Sequence, residues 1–277
     1  MRAMIQERYG PLEQVLSVGE TAVPEPGEGE VLVRVQAASI HIGDCHGMRG
    51  VPYLMRPIFG TRRPKARIPG TDMSGVVESV GDGVTTVKPD DEVFGWGRGA
   101  FAEYAIAPAD QLLPRPAELS FEQASAVGVS ATTALMGIRD EGGVRAGQKV
   151  LVNGASGGVG SFAVQVAKAL GAEVTGVCSG RNAELVRSLG ADHVIDYTKE
   201  DFTTGEERYD LILDNVGNHS FGDTRRALKP SGTLLSNGAP VDGWFGGLDH
   251  VVVAMVQSIL IRQQGRPFVA LENIDAL

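Results

Sequence analysis

Lys149-Val150-Leu151-Val152-Asn153-Gly154-Ala155-Ser156-Gly157-Gly158-Val159-Gly160 is the stretch that most restricts what this chain can become. An apolar run of strand length meets a glycine cluster, and the hydrophobic spacing then turns helical, with Phe162, Val166 and Ala169 on one face. The pattern predicts strand, tight turn and helix. Gly154, Gly157 and Gly160 stand three apart, where a dinucleotide fold needs a turn without Cβ, close backbone approach to pyrophosphate and close helix–strand packing. The helix N-terminus beyond them offers unpaired N–H groups and a positive dipole to phosphates, so Ser156, Gly158 and Val159 join the candidate cradle. Such glycine spacing also occurs in turns with no ligand, and here the context decides. A second strand is expected over Glu173–Cys178, a helix over 182–189 and a third strand over 193–195, the βαβαβ order of a nucleotide-binding half.

The end of the second strand bears on which dinucleotide is bound. An NAD site places Asp or Glu there, roughly 20 residues past the glycines, to hold the ribose 2′-hydroxyl. This chain has Ser179-Gly180-Arg181. A carboxylate would repel a 2′-phosphate, whereas a hydroxyl and a guanidinium donate to it, so the reading is NADP(H). The alternative is a surface arginine with no such role.

At 277 residues, 43% hydrophobic and 21% charged, the chain has room for two domains with substantial cores. Its net charge of −9 disfavours nucleic acid or an anionic membrane as partner. The N-terminus lacks an apolar signal core, and no apolar run approaches about 18 residues. Cys45 and Cys178 are too few for a disulfide framework, so a cytoplasmic location is expected.

Residues 1–120 show no helical periodicity and read as short strands between Gly/Pro turns, over 31–37, 73–80, 91–95 and 101–106. Residues 55–67 read as an irregular loop carrying Arg56, Arg62, Arg63, Lys65 and Arg67, either simply solvated or drawing in a polyanionic cofactor. From Ser120, a helix N-cap, a helix running through Leu135 and Ile138 links this β domain, residues 1–120, to the dinucleotide domain, residues 121–277. Further strands are expected over Tyr209–Asp214 and 232–236, and a mostly apolar helix within 244–262 would serve the core or a homodimer interface.

Pro69-Gly70-Thr71-Asp72-Met73-Ser74-Gly75-Val76-Val77, Asp91-Glu92-Val93-Phe94-Gly95, the glycine turn, and Gly190-Ala191-Asp192-His193-Val194-Ile195-Asp196-Tyr197 together resemble the medium-chain dehydrogenase/reductase superfamily, in its zinc-free quinone-oxidoreductase-like branch. The resemblance covers the whole chain. It implies an α/β protein with a GroES-like β-barrel domain beside a Rossmann doubly wound parallel sheet, and NADPH in the cleft between them. Thr133 looks like the residue at the nicotinamide end, and Tyr197 like part of the adenosine phosphate pocket. Asn215-Val216-Gly217 and Gly238-Ala239 resemble the backbone along the nicotinamide ribose. Asp44, Tyr53 and His46 fall near the cleft, with Asp44 and Tyr53 as catalytic candidates beside Thr133; equally, they orient loops. Zinc-dependent relatives carry ligands where this sequence has His41, Thr71 and the neighbourhood of Val127-Gly128. Thr71 is a poor ligand and Val127 is none, so His41, Cys45, His46 and Asp72 read as polar cleft lining and no metal is expected. Relatives also continue for several tens of residues past an equivalent of 271–277; either the chain is a fragment or the fold is trimmed, and a sheet edge is expected to be left unpaired and the cofactor less enclosed.

The function implied is NADPH-dependent reduction of a small-molecule quinone or α,β-unsaturated carbonyl by hydride transfer. A zinc-dependent alcohol dehydrogenase and a low-turnover NADPH sensor or scaffold are the alternatives.

Overall fold

The structure, a computed structural model, describes residues 1–238, apart from the side chains of Met55 and Ile58, and the backbone of Gln264–Pro267. The described chain forms two compact units that part between Val129 and Ser130.

In the N-terminal unit, β1 (Arg2–Gln6) and β2 (Leu16–Glu20) form an antiparallel hairpin. β3 (Glu30–Ala38), β4 (Asp72–Val80), β5 (Glu92–Trp96), β6 (Tyr104–Pro108) and β7 (Leu112–Pro114) form an antiparallel sheet in the order β6-β3-β4-β5-β7. Val31 and Val33 of β3, Met73 and Val77 of β4, and Val93 of β5 fill its core. Val31 and Val33, and Met73 and Val77, stand at same-face spacing, while Leu32, Ser74, Phe94 and Trp96 on the other face are buried as well.

Two expectations for this unit are corrected. Ile42–Arg49 is a helix, α1, although the sequence shows no helical stripe, and Arg56–Phe59 adds a helical turn inside the expected loop. Arg56 in that turn points inward: its guanidinium lies 4.8 Å from the Tyr9 ring centroid and 4.5 Å from that of Tyr53, and its Nε donates to Gly50 O at 3.0 Å. It is a structural cation, not a solvated one.

Ser120 caps α2 (Phe121–Ser125) as its sequence predicts, accepting from Gln123 N at 3.2 Å while Gln123 Oε1 accepts from Ser120 N at 2.9 Å. The single linking helix is in fact broken into α2, α3 (Gly128–Leu135) and a π-helical turn over Met136–Glu141.

In the second unit, β8 (Lys149–Asn153), β9 (Glu173–Cys178), β10 (His193–Asp196), β11 (Tyr209–Asp214), β12 (Leu228–Ser236) and β13 (Gln264–Pro267) form one parallel sheet in the order β10-β9-β8-β11-β12-β13. Val150 and Val152 face one core with Ala163 and Ala167 of α4 (Gly158–Ala169), while Leu151 and Ile212 face another with Phe202 and Phe221. Burial on both faces is why these strands read as unbroken apolar runs. The helix α5 (Ala183–Ser188) follows β9. β13 was not foreseen; it pairs along β12, so the edge at β12 is covered. The helix expected within 244–262 lies outside the described residues, as does Ala239. Among the described residues, no helix is long and apolar enough to cross a membrane.

Candidate cofactor site

After Asn153 the chain turns so that Gly154 N and Ala155 N both donate to Val177 O of β9, at 3.1 and 3.0 Å. The three glycines serve different needs. Gly154 has φ +79°, and a Cβ there would lie 2.9 Å from Val216 Cγ2. A Cβ on Gly160 would lie 2.1 Å from Gly154 O and 2.8 Å from Ala155 Cα, so only glycine lets α4 approach its strand. Gly157 has an extended backbone, with φ −83° and ψ 176°, and a Cβ there would meet only Gly154 O, at 3.3 Å. Packing within the chain makes a weak demand for glycine at this exposed position, whereas close approach of pyrophosphate makes a strong one. Gly157 is also the N-cap of the 12-residue α4, and no side chain caps that helix. The first-turn N–H groups at Gly158, Val159 and Gly160 therefore remain for an anion. These residues fit a dinucleotide.

The remaining cofactor candidates divide between the two sides of β8, because the strand order reverses there and ligands bind where it does. On one side, Tyr197 N donates to Cys178 O at 3.1 Å, which sets Tyr197 beside Ser179. Asn182 N donates to Ser179 O at 2.9 Å, and Asn182 Nδ2 donates to Ser156 Oγ at 3.0 Å, tying this loop to the glycine turn. Arg181 is exposed and has no ionic or hydrogen-bonding partner among the described residues. Asp196 sits against the loop, since a Cβ on Gly180 would lie 2.4 Å from its Oδ2. Hydrogen bonds from the Thr198 hydroxyl and N–H, together with the Gly180 N–H, hold its carboxyl below the usual carboxylate range.

On the other side, Asn153 and Asp214 are register partners at the ends of β8 and β11. Asn153 Nδ2 donates to Asp214 Oδ1 at 2.8 Å and to Asn218 Oδ1 at 3.0 Å. Asp214 Oδ1 also accepts from Val216 N and Gly217 N, each at 3.0 Å. Gly238 approaches so closely that a Cβ would lie 2.2 Å from Asn215 O, and its N–H donates to Asp214 O at 2.9 Å. The structure thus gathers Gly154, Asn215, Val216, Gly217 and Gly238. Asn153, Asn182, Asp196 and Asp214 are additions that the sequence did not single out; for Asn153, Asp196 and Asp214, a polar residue closing a strand was the available signal.

Thr133 is buried in α3, one turn beyond Ser130. Ser130 Oγ lies 2.8 Å from where a Cβ on Gly158 would be, so this face of α3 packs on the N-terminus of α4.

A second polar cluster belongs to the N-terminal unit. Asp44 is buried in the first turn of α1, where its Oδ2 accepts from His41 N at 3.1 Å. His41 Nε2 lies 3.4 Å from the same oxygen and 2.9 Å from Thr71 Oγ1. Asp72 is fully buried; Val129 N donates to its Oδ2 at 3.1 Å and Ser39 Oγ at 3.4 Å. Burial pushes the Asp72 carboxyl up to about 6, against the pull of the Val129 N–H and His41. Burial likewise raises Asp44, with His41 opposing it. Cys45 and His46 follow on α1, and burial raises the Cys45 thiol. Tyr53 is half-exposed with Arg56 over its ring. Among the described residues, no group of three or more His, Cys, Asp or Glu is arranged to hold a metal ion.

Residues 27–117 match the alcohol dehydrogenase GroES-like domain family, and residues 158–258 the zinc-binding dehydrogenase family. A chloroplast envelope quinone oxidoreductase homolog of Arabidopsis thaliana is 37% identical over 248 residues, which are 85% of this chain and 74% of that protein. A 2-methylene-furan-3-one reductase of Solanum lycopersicum is 33% identical over 229 residues, 78% of this chain and 57% of the relative. Among solved structures, an Escherichia coli quinone oxidoreductase complexed with NADPH matches with a TM-score of 0.82 and 26% identity, over 97% of this chain and 81% of that one. The chain belongs to the medium-chain dehydrogenase/reductase superfamily of oxidoreductases, in its quinone-oxidoreductase-like branch.

Proposed function

We propose that the protein reduces a quinone or an α,β-unsaturated carbonyl with NADPH as hydride donor and without zinc. The observation that carries this reading is the glycine turn, where a Cβ on the exposed Gly157 would meet only Gly154 O, at 3.3 Å, and where no side chain caps α4. The nicotinamide of the bound cofactor supplies the hydride. The uncapped N-terminus of α4 takes the pyrophosphate charge. Ser179, Arg181 and Tyr197 read the 2′-phosphate, a role supported by Arg181 having no competing partner among the described residues. Thr133 is assigned to the nicotinamide end, and Asp44 and Tyr53 to the acceptor.

The zinc-free part rests on donor chemistry. Of the positions where zinc-dependent relatives carry ligands, Thr71 and Val127 supply nothing adequate, and His41 Nε2 is engaged with the Thr71 hydroxyl and Asp44. Conjugated acceptors take a hydride with less polarisation than a simple ketone, so they suit a site that lacks a Lewis acid. The two relatives named for a quinone and a furanone substrate agree with this acceptor class. A cytoplasmic location and a homodimer belong to the same proposal.

Stopped-flow mixing of NADPH-loaded protein with 1,4-benzoquinone tests it. Rapid oxidation of the bound NADPH is expected; NADPH that stays inert would indicate a sensor or scaffold.

A further inference from the structure

We propose that Asp214, supported by Asn153, is a positioning residue that shapes the β11 loop for the nicotinamide half of the cofactor. This rests on the NADPH reading above. The strand order puts β9 and β10 on one side of β8, and β11 and β12 on the other. With the pyrophosphate on the glycine turn and the 2′-phosphate beside Ser179 and Arg181, the other half of the dinucleotide must run across the ends of β11 and β12.

That rim is Asn215-Val216-Gly217 with Gly238, and Asp214 holds it from beneath. A single oxygen, Asp214 Oδ1, accepts three N–H groups: Asn153 Nδ2 at 2.8 Å, and Val216 N and Gly217 N at 3.0 Å each. Asp214 is 3% exposed and Asn153 4%, so water does not compete for these bonds. The carboxylate fixes a loop in which Gly217 has φ +70° and Val216 lies over Gly154. The Asn215 side chain is locked as well, its Nδ2 donating to Asn153 O at 3.2 Å and its Oδ1 accepting from Asn237 Nδ2 at 2.9 Å. Three strand ends are thus joined by one polar network at the reversal of strand order.

Calorimetric titration with NADPH and with adenosine 2′,5′-bisphosphate, which lacks the nicotinamide ribose, tests the assignment, with a melting curve for each variant. Asp214→Ala is expected to weaken NADPH about tenfold or more, the effect of losing hydrogen bonds to a buried charge, and to leave the bisphosphate within about twofold. Asp214→Asn, whose Oδ1 still accepts the three N–H groups, is expected to recover most of the NADPH affinity. If Asp214→Ala does not fold, Asn153→Ala takes its place, with a loss of a few-fold confined to NADPH. Equal losses for both ligands, or a folded variant with undiminished NADPH affinity, would overturn the positioning role alone. Wild-type protein that binds neither ligand would overturn the cofactor reading and this inference with it.

Discussion

The glycine turn of the second unit and the His41–Asp44–Asp72 cluster of the first are both polar sites at the ends of apolar strands, but they are built in opposite ways. The turn spends no charged side chain: Gly154, Gly157 and Gly160 clear space, and under the proposal above it is backbone N–H groups that meet the ligand. The cluster is built around buried charged side chains, with Asp72 taken out of water and held by Val129 N and Ser39 Oγ. A site made of backbone tolerates no added atoms, while a site made of buried charge is sensitive to pH.

The largest effect expected from breaking this contrast is at Gly160. Gly160→Ala sets a methyl 2.1 Å from Gly154 O, a backbone atom that cannot swing away. A destabilisation of about 3 kcal/mol is expected, read as a fall of roughly 10 °C in melting temperature.

Asp72 should give the next largest effect, with a sign set by burial. Its folded-state carboxyl sits at about 6, above its ordinary value of 3.8, so the folded protein holds the proton more tightly than the unfolded chain. The associated stability is present below pH 4 and is lost as pH rises toward 6, amounting to about 2–3 kcal/mol. Asp72→Asn should flatten that slope in denaturation curves measured from pH 4 to 8, and an unchanged slope would assign it to another group.

Arg181→Ala sharpens the contrast on the backbone-built side, because it removes the one guanidinium that the proposal adds to the turn. NADPH affinity should fall by roughly 10- to 100-fold toward that of NADH, the effect of about 1.5–3 kcal/mol from a charged hydrogen bond. NADH should be untouched; equal losses in fluorescence titrations would show that Arg181 supports the fold. The smallest effect is expected from dialysis against a chelator, which should leave reductase activity unchanged. Stoichiometric zinc, with activity that dies on its removal, would contradict the zinc-free proposal.

What could be read from the sequence followed the same division. The glycine turn, the apolar strands from Lys149 to Asp214 and the Ser120 capping box are local patterns, and the structure keeps each of them. The helix Ile42–Arg49 was invisible because Gly43, His46 and Gly47 interrupt any stripe and Ile42 is left 69% exposed. At Gly128, where α3 begins, the demand for glycine is tertiary: a Cβ there would lie 2.6 Å from Asp72 Oδ1 and 3.1 Å from Trp96 Nε1. Asn153 and Asp214 are 61 residues apart, and only strand register brings them into contact. Each is marked locally as the polar end of a strand, but nothing local pairs them.

The central claim is that the glycine turn holds a dinucleotide, and Gly157→Val measured by NADPH titration beside a thermal melt tests it most directly. A Cβ there would meet, within 4 Å, only Gly154 O at 3.3 Å, and the side chain would enter the space that the proposal gives to pyrophosphate. Expected is a protein that melts close to wild type and no longer binds NADPH; a folded variant with unchanged NADPH affinity would contradict the claim.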